Sequence, residues 1–421
     1  MLQAGVDVLV VGAGFAGAVV ARELAERANK KVLVIDQRAH VGGNAYDTYD
    51  KAGVLIHTYG PHIFHTNFKR AYDYLSRFTA WRNYQHEVLA NIYEVYTPVP
   101  FNFNSIEMHF EPSKARLLID KLTESFGPDT KVPIIELRKS ADPLLSELAD
   151  FVYEKVFLQY TLKQWGVTPE EVDESVTARV PVYTGRDNRY FTDAWQGMPL
   201  EGYTPLFDAL LAHENISVVL GLDARDLLSF SRTPDPEHQT PAEAEEPQPF
   251  TTITAAGQPF EGTVVYTGPL DFLADLCFGM LPYRSLNFIY KTLPQKHFQP
   301  VGTVNYTVSE DFTRLTEFTW LTGQDIDHTT IMEEYSLAFE NQPGQVPYYA
   351  ILDPANQEAY ERYLALFARL PDFHVLGRLA EYRYYNMDQI IERALDLADE
   401  LCADWGDACC AASPCETGCR L

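Results

Sequence analysis

Residues 6–38, VDVLVVGAGFAGAVVARELAERANKKVLVIDQR, decide the fold. Residues 6–11 form an apolar, β-branched run, the pattern of a strand covered on both faces. Gly12, Gly14 and Gly17 follow in G-x-G-x-x-G spacing. The first lets the chain turn sharply, the second lets backbone approach a pyrophosphate, and the third lets helix pack close to strand. Residues 16–28 keep a helical period, so free N–H groups and the positive end of the dipole point at phosphates. Residues 31–35 read as a second strand. Asp36 closes it about 20 residues past the glycines, where a dinucleotide's ribose hydroxyl is met. Strand, glycines, helix, strand and acid in this order predict a dinucleotide site; an isolated glycine triplet would predict only a tight turn.

Gln37 and Arg38 come next, then VGGNAY, with Gly42, Gly43 and Asn44. A second glycine pair just past the ribose acid resembles the extended fingerprint of FAD proteins of the glutathione-reductase class. FAD is therefore expected rather than NAD.

At 421 residues the chain is long enough for two or three structural units. Its 33 Lys and Arg against 59 Asp and Glu leave a formal charge of −26, which argues against a nucleic-acid or anionic-membrane surface. An anionic substrate would need cations gathered into one pocket. No secretory leader is visible, and no apolar run reaches the ~20 residues of a membrane span. Cys277 stands alone, while Cys402, Cys409, Cys410, Cys415 and Cys419 crowd the end in spacings that match no C-x-x-C metal pair. No metal site is expected. The cysteine usage reads as a reducing, cytoplasmic compartment with a disordered, redox-sensitive tail.

Residues 88–103 alternate like strands, and 105–180 look helical, with Asp142 and Pro143 as a helix start. Residues 216–223 and 262–268 are further buried strands. Between them, residues 231–250 are rich in Pro and Glu and are expected to be a disordered insertion. Residues 283–351 look mostly extended, and a helix is expected from about Asp388.

Across residues 6–400, apart from that insertion, the strings VGGNAY, GPHIFHT, YTLKQWG, NRYFTDAWQGMPLEGYT, YTGP, YRSL, PYY and GRLAEYRYYNMDQ occur in order. Together they resemble the bacterial UDP-galactopyranose mutases. The resemblance implies an α/β fold: a discontinuous Rossmann-like FAD-binding domain of the glutathione-reductase class, a helical insertion domain and a mainly antiparallel β domain. It divides the chain into FAD-binding parts at 1–80, 213–275 and 353–401. Parts of the β-sheet domain are expected at 81–104, 181–212 (with a mobile loop) and 276–352. A helical uridine domain falls at 105–180 and the Cys-rich tail at 402–421.

The implied activity is interconversion of UDP-galactopyranose and UDP-galactofuranose for galactofuranose-containing glycans, without net redox change. The flavin N5 of reduced FAD serves as the nucleophile at the anomeric carbon and UDP leaves. NAD(P)H or another reductant supplies the electrons. UDP-galactose is the implied small-molecule substrate and a homo-oligomer, dimer or larger, the implied assembly.

By the same resemblance, Arg179 and Arg314 close on the diphosphate, with Arg284 as a third guanidinium. Trp165 stacks on uracil, Tyr160 and Thr161 contact the nucleotide, and Phe157 could line the same slot. Asn305 also touches the nucleotide. Tyr190, Tyr349 and Tyr384 gather around diphosphate and flavin. Asn386 stands where many relatives carry Asp. His86 stands where several place Asn, either donating to a sugar hydroxyl or simply exposed. Cofactor contacts carry over to Gly14, Phe15, Asp36, Asn44, His62, Ile63 and Arg378, and to Met387, Asp388 and Ile391 at the start of the last helix. His62 is expected beside the flavin ring, and His65 as a core histidine. A flavin oxidoreductase such as an amine oxidase, and a non-catalytic nucleotide-sugar or flavin sensor, remain open at this point; the first shares the FAD fold.

Overall fold

The computed structural model of the protein describes residues 5–169, 181–232, 247–370 and 372–412. Strand β1 (Val8–Val11), helix α1 (Phe15–Arg27) and strand β2 (Val32–Asp36) form the opening unit in the expected order. A five-stranded parallel sheet runs Ile216–Leu220, β2, β1, Thr263–Tyr266, Phe373–Val375. Its strands come from three distant stretches of chain. The helices between them cover both faces, so Val8, Leu9 and Val10 are fully buried. Burying one such side chain contributes ~1.5–3 kcal/mol.

The second large element is a seven-stranded, mainly antiparallel sheet. It contains β3 (Tyr283–Leu293), β4 (Thr303–Tyr306), β5 (Arg314–Glu317) and β6 (Thr329–Ala338). The order is Tyr349–Ala350, β3, β6, β5, β4, Val88–Ile92, Val95–Val99. β4 pairs antiparallel with β5 and parallel with Val88–Ile92. β3 and β6 pair along most of their length, which makes a stiff ribbon under the site.

A helical unit packs against the Val88–Ile92 and Val95–Val99 end of this sheet. Asp142 caps the helix Pro143–Val152 by accepting from the Leu144 N–H at 2.9 Å, with Pro143 in the first turn. That helix passes through one π-helical stretch, Tyr153–Leu158, into α2 (Gln159–Trp165), which ends on Gly166 at φ +79°. π turns recur at functional sites because they re-aim the residues that follow.

Two segments differ from expectation. Residues 195–211 do not join the seven-stranded sheet. Trp195–Pro199 pairs with Phe64–Thr66 and Trp81–Asn83, and the helix Tyr203–Leu211 packs its buried face on α1. Asp47 fixes that helix by accepting from the Tyr203 and Thr204 amides, a capping contact made from 156 residues away in sequence. The last helix, α3 (Met387–Ala412), runs on into the Cys-rich tail, where disorder was expected, because its inner face is buried against α1 as far as Leu401. The rest of the tail, most of the Pro-Glu insertion and Arg179 lie outside the described residues. Among the described residues no helix is long and apolar enough to cross a membrane.

Candidate active site

The fingerprint builds a groove of about 370 Å³ along the carboxyl end of the parallel sheet. Gly12, Gly14, Phe15, Asp36, Gln37 and Arg38 line it, as do Gly43 and Asn44 from the second glycine turn. Gly12 sits at φ +109°, and a Cβ there would lie 1.9 Å from the Thr267 Oγ1. Gly14 faces Gly43 so closely that a Cβ on Gly43 would lie 3.0 Å from the Gly14 Cα. Gly17 stays outside the groove: a Cβ there would fall 1.9 Å from the Gly12 carbonyl, so it sets the approach of α1 to β1. The Asp36 carboxylate accepts from the Ala13 and Arg38 amides at 2.9 and 2.8 Å. Arg38 donates to the Asn44 Oδ1 and lies 4.2 Å from the centre of the Tyr59 ring. Its Nη1 is buried with no partner among the described residues, a cation waiting for an anion. These features fit a dinucleotide diphosphate.

A second cavity, about 510 Å³, opens beside it. His62, Arg378 and Met387 line both, so the two spaces meet at those side chains. α2 contributes Tyr160 and Trp165. The β4–β5 hairpin contributes Asn305 and Arg314, which face each other across the ladder. Tyr349 comes from the edge strand beside β3, and Tyr384 and Asn386 from the approach to α3. Ile63, His86 and Tyr190 complete the wall, with the Tyr190 amide donating to the His86 carbonyl at 2.8 Å. Tyr349 and Tyr384 stack 5.9 Å apart, and Trp165 lies 5.9 Å from Tyr349. The result is an aromatic run from α2 to Arg378 at the junction with the groove.

The charged centre is one ion pair: Arg314 Nη2 donates to Glu334 Oε1 at 2.8 Å. Burial opposes the arginine's charge, but Glu334 and then Tyr160 hold its pKa well above the ordinary value. Arg314 Nε and Glu334 Oε2 have no partner among the described residues. Burial pushes His62 down to about 3, with the neighbouring His57 adding to the effect. Its Nδ1 is 2.8 Å from the Gly60 carbonyl, so the Nδ1 hydrogen is spent there and Nε2 is left as an acceptor. His86 is likewise pushed down to about 3, by burial first and Arg314 next, and meets the Tyr84 hydroxyl at 3.2 Å. It is buried, so the exposed alternative does not hold. Burial, then Tyr384, pushes the Tyr349 hydroxyl up to about 12.

A family profile described as GLF: UDP-galactopyranose mutase matches residues 155–384, the span that holds Tyr160, Trp165, Arg314, Tyr349, Arg378 and Tyr384 of the second cavity. A probable UDP-galactopyranose mutase of Klebsiella pneumoniae is 34% identical over 94% of both chains. This chain belongs to the UDP-galactopyranose mutase family. A NAD(P)-binding Rossmann-like profile matches residues 10–78, across the fingerprint. The family's neighbours include a dTDP-fucopyranose mutase of Escherichia coli, 32% identical over 93% of this chain and 97% of that one. The crystal structure of reduced UDP-galactopyranose mutase superimposes with a TM-score of 0.65 at 16% identity, covering 94% of this chain and 95% of the other, which shows the shared fold.

Several side chains expected in the site by family resemblance lie elsewhere. Phe157, in the π-helical stretch before α2, is packed in the helical core and does not line the cavity. Thr161 is buried outside both spaces. Arg284 does not reach the cavity, because its guanidinium is spent on α2: Nε donates to the Gln164 carbonyl at 3.0 Å, and Nη2 to the Lys163 carbonyl and Ser336 Oγ. A cation at a helix C-terminus answers the dipole and the orphan carbonyls. Ile391 is a core residue with no exposed surface, and Asp388 lies outside both spaces; Ile390 lines the groove instead. His65, expected in the core, is half-buried at the cavity wall and pairs with Asp193 at 3.1 Å. Glu334 and Gln164 were missed. Gln164 stands inside the YTLKQWG string, but Glu334, in the strand TTIMEEYSLA, carries no local signal.

Proposed function

We propose that this protein interconverts the pyranose and furanose forms of UDP-galactose with FAD in its reduced state. The observation that carries this reading is the shared wall of His62, Arg378 and Met387, where a dinucleotide groove opens into a cavity that adds Arg314 and an aromatic run. The groove supports FAD: Arg38, with its free Nη1, and the apposed Gly14 and Gly43 suit its diphosphate. When bound and reduced, FAD supplies the nucleophile, its N5, toward the anomeric carbon.

The chain's own residues do the rest. Trp165, Tyr160 and Asn305 hold the nucleoside, and the ring of Trp165 offers a stacking face. Arg314, joined by Arg179, holds the diphosphate and stabilises charge as UDP leaves. Tyr349, whose hydroxyl burial pushes up to about 12, and Tyr384 donate toward phosphate oxygens. His62, kept neutral, presents Nε2 as an acceptor at the junction. His86 and Asn386 offer uncharged hydrogen bonds to sugar hydroxyls. NAD(P)H or another reductant supplies electrons, and the product serves galactofuranose-containing glycans.

The test is direct. Dithionite-reduced protein is incubated with UDP-galactofuranose and the mixture separated by chromatography. UDP-galactopyranose should appear, and oxidised protein should form little. Colourless purified protein, or flavin reduction by an amine with no sugar conversion, overturns the reading. Because a dTDP-fucopyranose mutase stands among the relatives, a parallel incubation with dTDP-fucose decides which nucleotide sugar is preferred.

A further inference from the structure

α2 carries the nucleoside residues Tyr160 and Trp165, and between them stands Lys163, which touches neither cavity. Its ammonium group donates to three backbone carbonyls, those of Tyr306, Glu310 and Phe312, at 2.5, 2.9 and 3.1 Å. An ammonium has three N–H groups and no acceptor, so three converging carbonyls use it fully. All three belong to the turn between β4 and β5 or its flank: Asn305 lies just before the first, Arg314 two residues after the last.

The same turn is tied to the partner acid of Arg314. The Thr313 amide and hydroxyl both donate to the Glu334 carbonyl, at 2.8 and 2.9 Å. The same C-terminal turn of α2 is also held by Arg284 and Ser336 from β3 and β6, both at the Gln164 carbonyl. Those contacts fix the helix to the sheet. Of these ties, Lys163 is the one that reaches the turn leading into Arg314.

We propose that Lys163 is a positioning residue that sets the spacing between the nucleoside platform of α2 and the diphosphate arginine, so that one nucleotide engages both. The inference rests on the nucleotide-sugar reading above. Binding through two linked contacts gains affinity only when their separation matches the ligand. Without Lys163 the two halves of the site remain, but their registry is lost.

Uridine reads the platform alone, and UDP reads platform and arginine together. The affinities of the FAD-loaded protein for uridine and for UDP are measured for wild type and Lys163→Met. The advantage of UDP over uridine should fall by about tenfold in the variant, the change that losing one charge-assisted tie would bring. Uridine affinity and FAD content should stay near wild type. Should Lys163→Met lose FAD on purification, Lys163→Gln keeps an amide donor for the turn and carries the same comparison, with a smaller fall expected. An unchanged UDP-to-uridine ratio, or an equal loss for both ligands, overturns the positioning role and leaves the nucleotide-sugar reading standing. Wild-type protein that binds neither ligand overturns that reading and this inference with it.

Discussion

Arg314 and Glu334 meet at 2.8 Å from neighbouring antiparallel strands, directly opposite in the ladder, and the acid has no exposed surface. Glu334 helps hold the arginine's pKa well above its ordinary value inside the cavity. The pair orients the guanidinium at the cavity wall, where Nε has no hydrogen-bond partner among the described residues. Removing one member of a buried pair strands the other.

Arg314→Ala should therefore lower turnover by about 10²–10³-fold and also lower the melting temperature, while FAD stays bound. Arg179→Ala should also lower turnover while FAD stays bound, if it joins the proposed clamp. Turnover, flavin absorbance and thermal melts of both variants check this. Wild-type turnover in either one would count against the proposed diphosphate clamp.

Gly17→Ala places a methyl group 1.9 Å from the Gly12 carbonyl and 2.9 Å from Val10 Cγ1. α1 must then move off β1, at a cost of about 1–3 kcal/mol. The groove widens where the pyrophosphate is held. The protein should purify with little flavin, read from the ratio of visible to ultraviolet absorbance.

Trp165→Ala removes the stacking face at the end of α2. UDP affinity should fall by about 1–3 kcal/mol, the usual worth of a base–aromatic stack. FAD content should not change, because Trp165 lines only the second cavity. Calorimetric titration with UDP reads the difference.

Three histidines, His57 and His86 buried and His62 partly buried at the cavity junction, predict the acid response. Burial pushes His57 down to about 4, and His62 and His86 to about 3. The unfolded chain takes up these protons near pH 6.5, but the folded chain does so only well below it. Stability from this source is thus fully present above pH 6.5 and is lost as pH falls toward 4. Each histidine contributes a slope of about 1.4 kcal/mol per pH unit. Urea midpoints at pH 7 and pH 5 should differ accordingly, and His86→Asn should flatten the difference by one histidine's share.

Local pattern carried much of the fold. The opening strand, glycines and helix were legible because their geometry is set by neighbours in sequence: β-branched runs, positive φ and helical period. Asp142 and Pro143 started a helix for the same reason. The path of residues 195–211 was not legible, since a short strand and an amphipathic helix pack equally well on more than one surface. Their place was chosen by Asp47, far upstream. The tail misled because its cysteines and small residues suggest disorder, whereas the helix entering it is held by α1.

The site divides the same way. Sequence by itself determined the dinucleotide turn and the family strings, because the first is a local backbone requirement and the second an ordered set of short motifs. Only the tertiary structure decided which arginine meets the cavity: Arg314 enters it, and Arg284 is consumed by the carbonyls ending α2. It alone brought Glu334 to Arg314 and Lys163 to the turn before it. Those choices depend on which strands pair and where a helix ends against a sheet. Such contacts join residues tens to hundreds of positions apart, and no local pattern encodes them.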